Sequence, residues 1–168
     1  GLALDYLKHF SVVILQNYNV AQAADEPFSR ALRAYVEQGG GLMLAHDTAW
    51  FMESPFPEIA TRGYPQHKVE AQRHVVETNL KVACENPALA GLTTGTEFPT
   101  EFRDHMIFRP GPKGVTVITN TFGDPVYVLG EIGKGRVAFV GPYQGYKQQL
   151  SGVERQAFLG VTKWLGSQ

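Results

Sequence analysis

The chain has 168 residues and a formal net charge of −1, so there is no electrostatic reason to expect nucleic acid or an anionic membrane as a partner. Hydrophobic residues make up 43%, which excludes a disordered or fibrous chain and suits one domain with a sizeable core. A single cysteine, Cys84, excludes an internal disulfide and an all-cysteine metal cage, and slightly favours a reducing, cytoplasmic compartment.

Residues 2–10 read as the end of a helix, and a run rich in β-branched residues follows at 12–15. Such a run predicts a strand buried on both faces, as in a parallel sheet. The longest apolar runs, such as this one and residues 137–140, are far too short to span a bilayer. No charged-then-apolar signal segment opens the chain. The chain starts at Gly1 and reads as beginning in mid-fold, as a fragment, a processed chain or a domain cut from something longer would. A companion segment, another chain or a rearranged local strand is expected to fill any buried sheet position left empty, since unpaired backbone donors and acceptors cost about 1–3 kcal/mol each.

After a polar loop at 16–24, a helix is predicted from Asp25, whose carboxylate caps it, with Pro27 in its first turn. Phe28, Ala31, Leu32, Tyr35 and Val36 fall at helical spacing and form one apolar stripe. Gly39 supplies the left-handed stop. Residues 42–45 are the next buried strand. Strand, helix and strand with short connections form a βαβ unit, which predicts parallel pairing with a right-handed crossover.

Residues 51–66 contain Pro55, Pro57 and Pro65 and little periodicity, which predicts a long surface loop with at most a short helix. Residues 74–84 read as extended, 86–92 as a turn or short helix, and 115–121 as a strand. Residues 125–131, the turn "GKGR" and residues 137–141 predict a β-hairpin. Its Gly133 and Gly135 lack the strand–helix context of a phosphate loop, and Lys134 and Arg136 read as solvated turn residues. Ser151 and Glu154 predict a capping box for a last helix that buries Ala157, Phe158, Val161, Trp164 and Leu165.

Three stretches carry a family resemblance: "LRAYVEQGGGLMLAHD", "NPALAGL" and "VYVLGEIGKGRVAFVGPYQGY". In order and spacing they resemble the ThuA-like (trehalose utilisation) family of the class I glutamine amidotransferase-like fold. The resemblance implies a flavodoxin-like, mostly parallel doubly wound sheet with a late antiparallel hairpin, as a single domain over 1–168 that lacks its first strand. In amidotransferases the strand after the glycines ends in a cysteine on a sharp turn, where its thiolate carries the acyl group. Here that position is His46, which agrees with ThuA-like proteins, and an imidazole cannot take over that role. Their partner histidine follows the last long strand, where this chain has Tyr143 and Gln144. A glutaminase is therefore not expected. The chain also departs from the ThuA-like pattern: the turn histidine is Asn86, and the acidic pair after the middle strand corresponds to Asp104 and His105.

His46 and Asp47 follow a predicted parallel strand directly, and pockets of open α/β sheets form at that edge. They are the candidate catalytic pair. Thr48, Trp50, Asp104, His105, Tyr143 and Gln144 are the candidate substrate-binding residues. Trp50, Phe51, Tyr143 and Tyr146 offer aromatic faces on which a sugar ring can stack, although each also suits ordinary packing. The chain contains no local pair of metal ligands, and His67 and His74 stand seven residues apart in a polar stretch. No cofactor is predicted. If a metal is bound, zinc is favoured by imidazole and carboxylate, with His46 and His105 as ligands from distant segments. The resulting expectation is a domain that binds or acts on a carbohydrate or related small molecule. The alternative is a non-catalytic structural or interaction module of a larger protein or assembly; homo-oligomers fit either reading.

Overall fold

The computed structural model describes residues 4–20, 23–63 and 78–167. His67, His74 and the end of the proline-rich loop lie outside the described residues. A short helix α1 (Leu4–Leu7) leads into β1 (Val12–Gln16). Helix α2 (Pro27–Glu37) connects β1 to β2 (Gly41–Ala45), and β1 and β2 pair in parallel as predicted. There follow α3 (Asp47–Phe51), β3 (Ala60–Arg62), β4 (Leu80–Val82), β5 (Glu97–Phe98) and β6 (Phe108–Pro110). The chain then forms β7 (Val115–Asn120), β8 (Pro125–Ile132), β9 (Gly135–Val140) and the closing helix α4 (Gly152–Gly166).

Seven strands form one sheet in the order β1-β2-β9-β8-β7-β4-β5, and β3 pairs with β6 in a second, two-stranded sheet. The architecture is α/β, but the sheet is mixed. β1, β2 and β9 run parallel, whereas the other four pairings are antiparallel. For two of these, β7–β8 and β8–β9, the reason is connection length. Short turns join β7 to β8 and β8 to β9, and a turn that short can join only antiparallel strands. The predicted late hairpin is therefore present, and the antiparallel region extends three strands beyond it.

Period-two alternation divides the core into two layers. Leu42, Leu44, Val137 and Phe139 face α2, where Leu32, Tyr35 and Val36 meet them. Met43, Ala45, Ala138 and Val140 face α4, where Ala157, Val161 and Leu165 meet them. The three glycines at the start of β2, Gly39 to Gly41, have three separate causes. Gly39 has φ +117°, which ends α2. A Cβ on Gly40 would lie 2.3 Å from the Tyr35 ring, and one on Gly41 would lie 2.3 Å from the Leu165 carbonyl oxygen. Gly41 thus lets the end of α4 press against the start of β2.

Several local expectations need correction. The N-cap of α2 is Glu26, with no side-chain capping bond; Pro27 at the first position removes one donor that would otherwise need it. Nor does the Ser151–Glu154 capping box form. Glu154 instead accepts a hydrogen bond from the Glu101 backbone at 2.8 Å, so a tertiary contact has taken its carboxylate. Arg136 is not simply solvated: its guanidinium stacks 4.8 Å from the centre of the Trp164 ring and donates to the Trp164 carbonyl at 2.6 Å. Strand β1 is not buried on both faces. It is the sheet edge, and its Ile14 is 42% exposed.

Candidate functional site

Three parallel strands bring their carboxyl ends to one place. The His46 amide donates to the Val140 carbonyl at 2.8 Å, so the β2–β9 ladder continues one residue past β2. There the backbone turns sharply. His46 has φ 53° and ψ −129°, a conformation that costs a non-glycine residue about 1–3 kcal/mol, and α3 begins at the next residue. This is a strand-to-helix elbow with a histidine at its apex.

His46 stands at the predicted edge, but not in an open cleft: it is 4% exposed. Phe102 and Tyr143 meet its ring edge-on at centroid distances of 5.4 and 5.5 Å. Tyr146 extends the cluster, 5.0 Å from Phe102 and 5.2 Å from Tyr143. Asp47 is buried beside it, with Oδ1 3.9 Å from His46 Nδ1, beyond hydrogen-bond length.

Two loops carry this aromatic roof, and each is tied down. The turn at 142–147 is held by Gln16 at the end of β1, whose side chain both accepts from the Gln144 amide and donates to its carbonyl. The Gln144 side chain points inward and donates to the Tyr127 hydroxyl at 3.3 Å. Burial raises the Tyr127 pKa, so the phenol stays neutral. The loop at 101–104 is held by Glu101. Its carboxylate accepts the Tyr146 and Lys147 amides at 3.2 Å each, and its own amide donates to Glu154.

The remaining candidates divide by what they touch. Thr48 is fully buried, and its hydroxyl accepts the Tyr18 amide at 2.6 Å, a structural tie. Trp50 lies under the Arg62 guanidinium, 4.8 Å from ring to charge, and Arg62 Nε donates to its carbonyl. Trp50 is thus engaged by Arg62, and among the described residues Phe102 and Tyr143 meet the His46 ring. His105 is fully buried, with Nδ1 3.2 Å from the Arg103 carbonyl and Nε2 3.3 Å from Asn120 Nδ2. That arrangement requires the proton on Nδ1, leaving Nε2 to accept. Burial lowers the His105 pKa, against the opposing pull of the Arg103 carbonyl and of Asp104 and Asp124. Both of its nitrogens are thus engaged within the fold. Asp104 is half-buried beside it. Among the described residues, no three histidine, cysteine or acidic side chains converge to hold a metal ion. Cys84 is remote from the elbow, with Sγ 3.5 Å from the Thr116 carbonyl.

Phe102, Glu101, Gln16 and Glu154 complete the site, and sequence reasoning missed them. Phe102 sits in a loop without periodicity. The Gln16 contact spans 128 residues, and no local pattern encodes such a pairing.

Parallel strands that end on a strained elbow, with a histidine at its apex, define this as an α/β protein with a histidine rather than a thiol at that turn. Its fold is shared with ThuA-like proteins. A Bacteroides uniformis protein named as ThuA-like matches with a TM-score of 0.66 at 15% identity, over 97% of this chain and 72% of its own. The cytoplasmic protein STM3548 of Salmonella typhimurium matches at TM-score 0.65 and 16% identity, over 97% and 74%. A β-galactosidase from Bacillus circulans matches at TM-score 0.57 and 10% identity, over 91% of this chain but 22% of its own. No family model and no curated protein sequence matches the chain.

Proposed function

We propose that this chain is a ThuA-like domain that binds or acts on a carbohydrate or related small molecule at the carboxyl edge of β1, β2 and β9. The observation that carries this reading is the strained backbone of His46 beneath an aromatic roof. Backbone strain of this kind persists where the surrounding structure holds it and tends to mark functional sites. His46 is the acid–base or hydrogen-bonding group, and Asp47 is its neighbour. Phe102, Tyr143 and Tyr146 present the ring faces and edges on which a sugar's C–H face can pack. The residues supply no acyl-carrying nucleophile at the elbow, so the domain has no glutaminase activity. The cytoplasm is the proposed compartment, in line with the single cysteine and with a structural neighbour that is named as a cytoplasmic protein.

A ligand-detected NMR screen of mono- and disaccharides against the protein and His46→Ala tests the proposal. Saturation transfer to a sugar that is lost in His46→Ala supports it, and no transfer to any sugar refutes it. A second reading is a non-catalytic module within a larger assembly. Two observations favour it: β1 is an edge strand among the described residues, and 91% of this chain is like 22% of a β-galactosidase. The same screen separates the two readings, since a packing module has no need of a sugar.

A further inference from the structure

The roof over His46 is closed, yet a ligand must pass it. The chain of contacts that holds it ends on a buried acid. Glu154, in the first turn of α4, is 4% exposed. Its Oε2 accepts the Glu101 amide at 2.8 Å, and its Oε1 is buried with no hydrogen-bond partner among the described residues. Glu101 in turn accepts the Tyr146 and Lys147 amides, which fixes Tyr146 against Phe102. One carboxyl therefore sits behind both loops of the roof. We propose that Glu154, acting through Glu101, is a latch on the aromatic roof: the roof is closed while the Glu154 carboxyl is neutral and opens when it ionises.

The argument is electrostatic. A carboxylate with one oxygen dry and unpartnered is costly, whereas the neutral acid is less so. The titratable side chains that face Glu154 do not offset its charge. They are Glu101 on the roof loop, which is of the same sign, and the neutral Tyr127 on β8. Glu97 lies on the same side, and Lys147 has its Nζ over the Tyr146 ring, 5.5 Å from the centroid. Burial, and then the nearby Glu101, push the Glu154 pKa up, and the amide of Glu101 offsets this only in part. A carboxyl whose pKa is raised in the closed state stabilises that state below the ordinary carboxylate value. That stability is lost as pH rises through the raised value. A cavity of about 360 Å³ borders Glu101, Ser151 and Glu154 and admits water toward the ionised group. Gly145, at φ 65° with open space around it, lies between the two tyrosines and can absorb the movement of the turn.

This latch belongs to the site of the proposed function, but its test needs no ligand, so either can fail alone. Amide hydrogen exchange is measured from about pH 4 to about pH 8, and rates are converted to protection factors for Glu101, Tyr146 and Lys147. Protection is expected to fall above the ordinary carboxylate range by up to about tenfold per pH unit, the slope of a one-proton step. Protection of the β2 amides should stay constant. In Glu154→Gln, which keeps an acceptor but cannot ionise, protection of the roof should stay high throughout. A native profile that is flat for the three roof amides overturns the latch, even if the variant fails to fold. So does a fall shared equally with β2, which means global unfolding, and so does an unchanged fall in Glu154→Gln.

Discussion

Gln16 clasps the backbone of Gln144 with two hydrogen bonds, receiving from its amide at 2.7 Å and giving to its carbonyl at 3.0 Å. The clasp ties the carboxyl end of β1 to the turn that follows β9, and so sets where Tyr143 and Tyr146 stand. Gln16→Ala leaves two backbone groups without their partner. The expected loss is about 1–3 kcal/mol, with faster exchange at Gln144 than at β9. Urea unfolding and residue-resolved exchange check this. A variant as stable as the native chain would show that the clasp does not hold the turn.

The elbow makes an unusual prediction about glycine. Elsewhere in a chain, glycine is less stabilising than alanine because it has more freedom to lose. At residue 46, with φ 53° and ψ −129°, alanine keeps the strain while glycine relieves it. Both remove the ring that packs on Phe102 and Tyr143. His46→Gly should therefore be more stable than His46→Ala by about 1–3 kcal/mol. Equal melting curves would mean that the backbone is not strained there.

His105 and Glu154 should tilt stability in opposite directions with pH. His105 is buried with its pKa lowered, so the unfolded chain binds that proton more readily. Stability then falls as pH drops below the ordinary histidine value, about 6.5, toward the lowered one. The raised Glu154 pKa acts in reverse, and its contribution falls as pH rises. Denaturant midpoints across this range, in the native chain and in His105→Gln, isolate the histidine. The acid-side slope should shrink in the variant, and an unchanged slope would assign it to other groups.

Glutamine should not be hydrolysed. His46 occupies the elbow, and Cys84 lies elsewhere with its thiol toward Thr116. An ammonia-release assay should read background. Turnover that disappears in Cys84→Ser would overturn this.

The legible parts of this fold are those with a local cause. The apolar stripe of α2, the strand before His46, the "GKGR" hairpin and the buried face of α4 each follow from spacing, and each is present. The Asn86 turn is also there, with its side chain accepting the Ala88 amide. What spacing could not reveal was competition between local and distant partners. Glu154 has the spacing of a capping box, yet Glu101 engages it from 53 residues away. Likewise β3, β5 and β6 are two or three residues long, too short to show a period. The location of His46 was legible from the glycines and the strand before it. Its roof was not, because Phe102 and Tyr143 meet only through the tertiary fold.

The last prediction concerns β1. Its sequence is Val-Val-Ile-Leu-Gln, without charge or proline, and it lies at the end of the seven-stranded sheet. Natural edges are blunted by charge, proline or a bulge, because an open edge recruits other strands. Val13 and Leu15 are packed on the α2 layer and Val12 on the α4 layer, but Ile14 stays 42% exposed. A parallel strand usually has both faces covered, so this edge is expected to take up another strand, from a second copy or from another polypeptide. Ile14→Lys places a charge on that edge without touching the core, and its own effect on stability should be within about 0.5 kcal/mol. Light scattering behind size exclusion should find association in the native 168-residue chain and a monomer in the variant. A native chain that is already a clean monomer, with no bound peptide in its intact mass, would mean that the edge is stable uncovered.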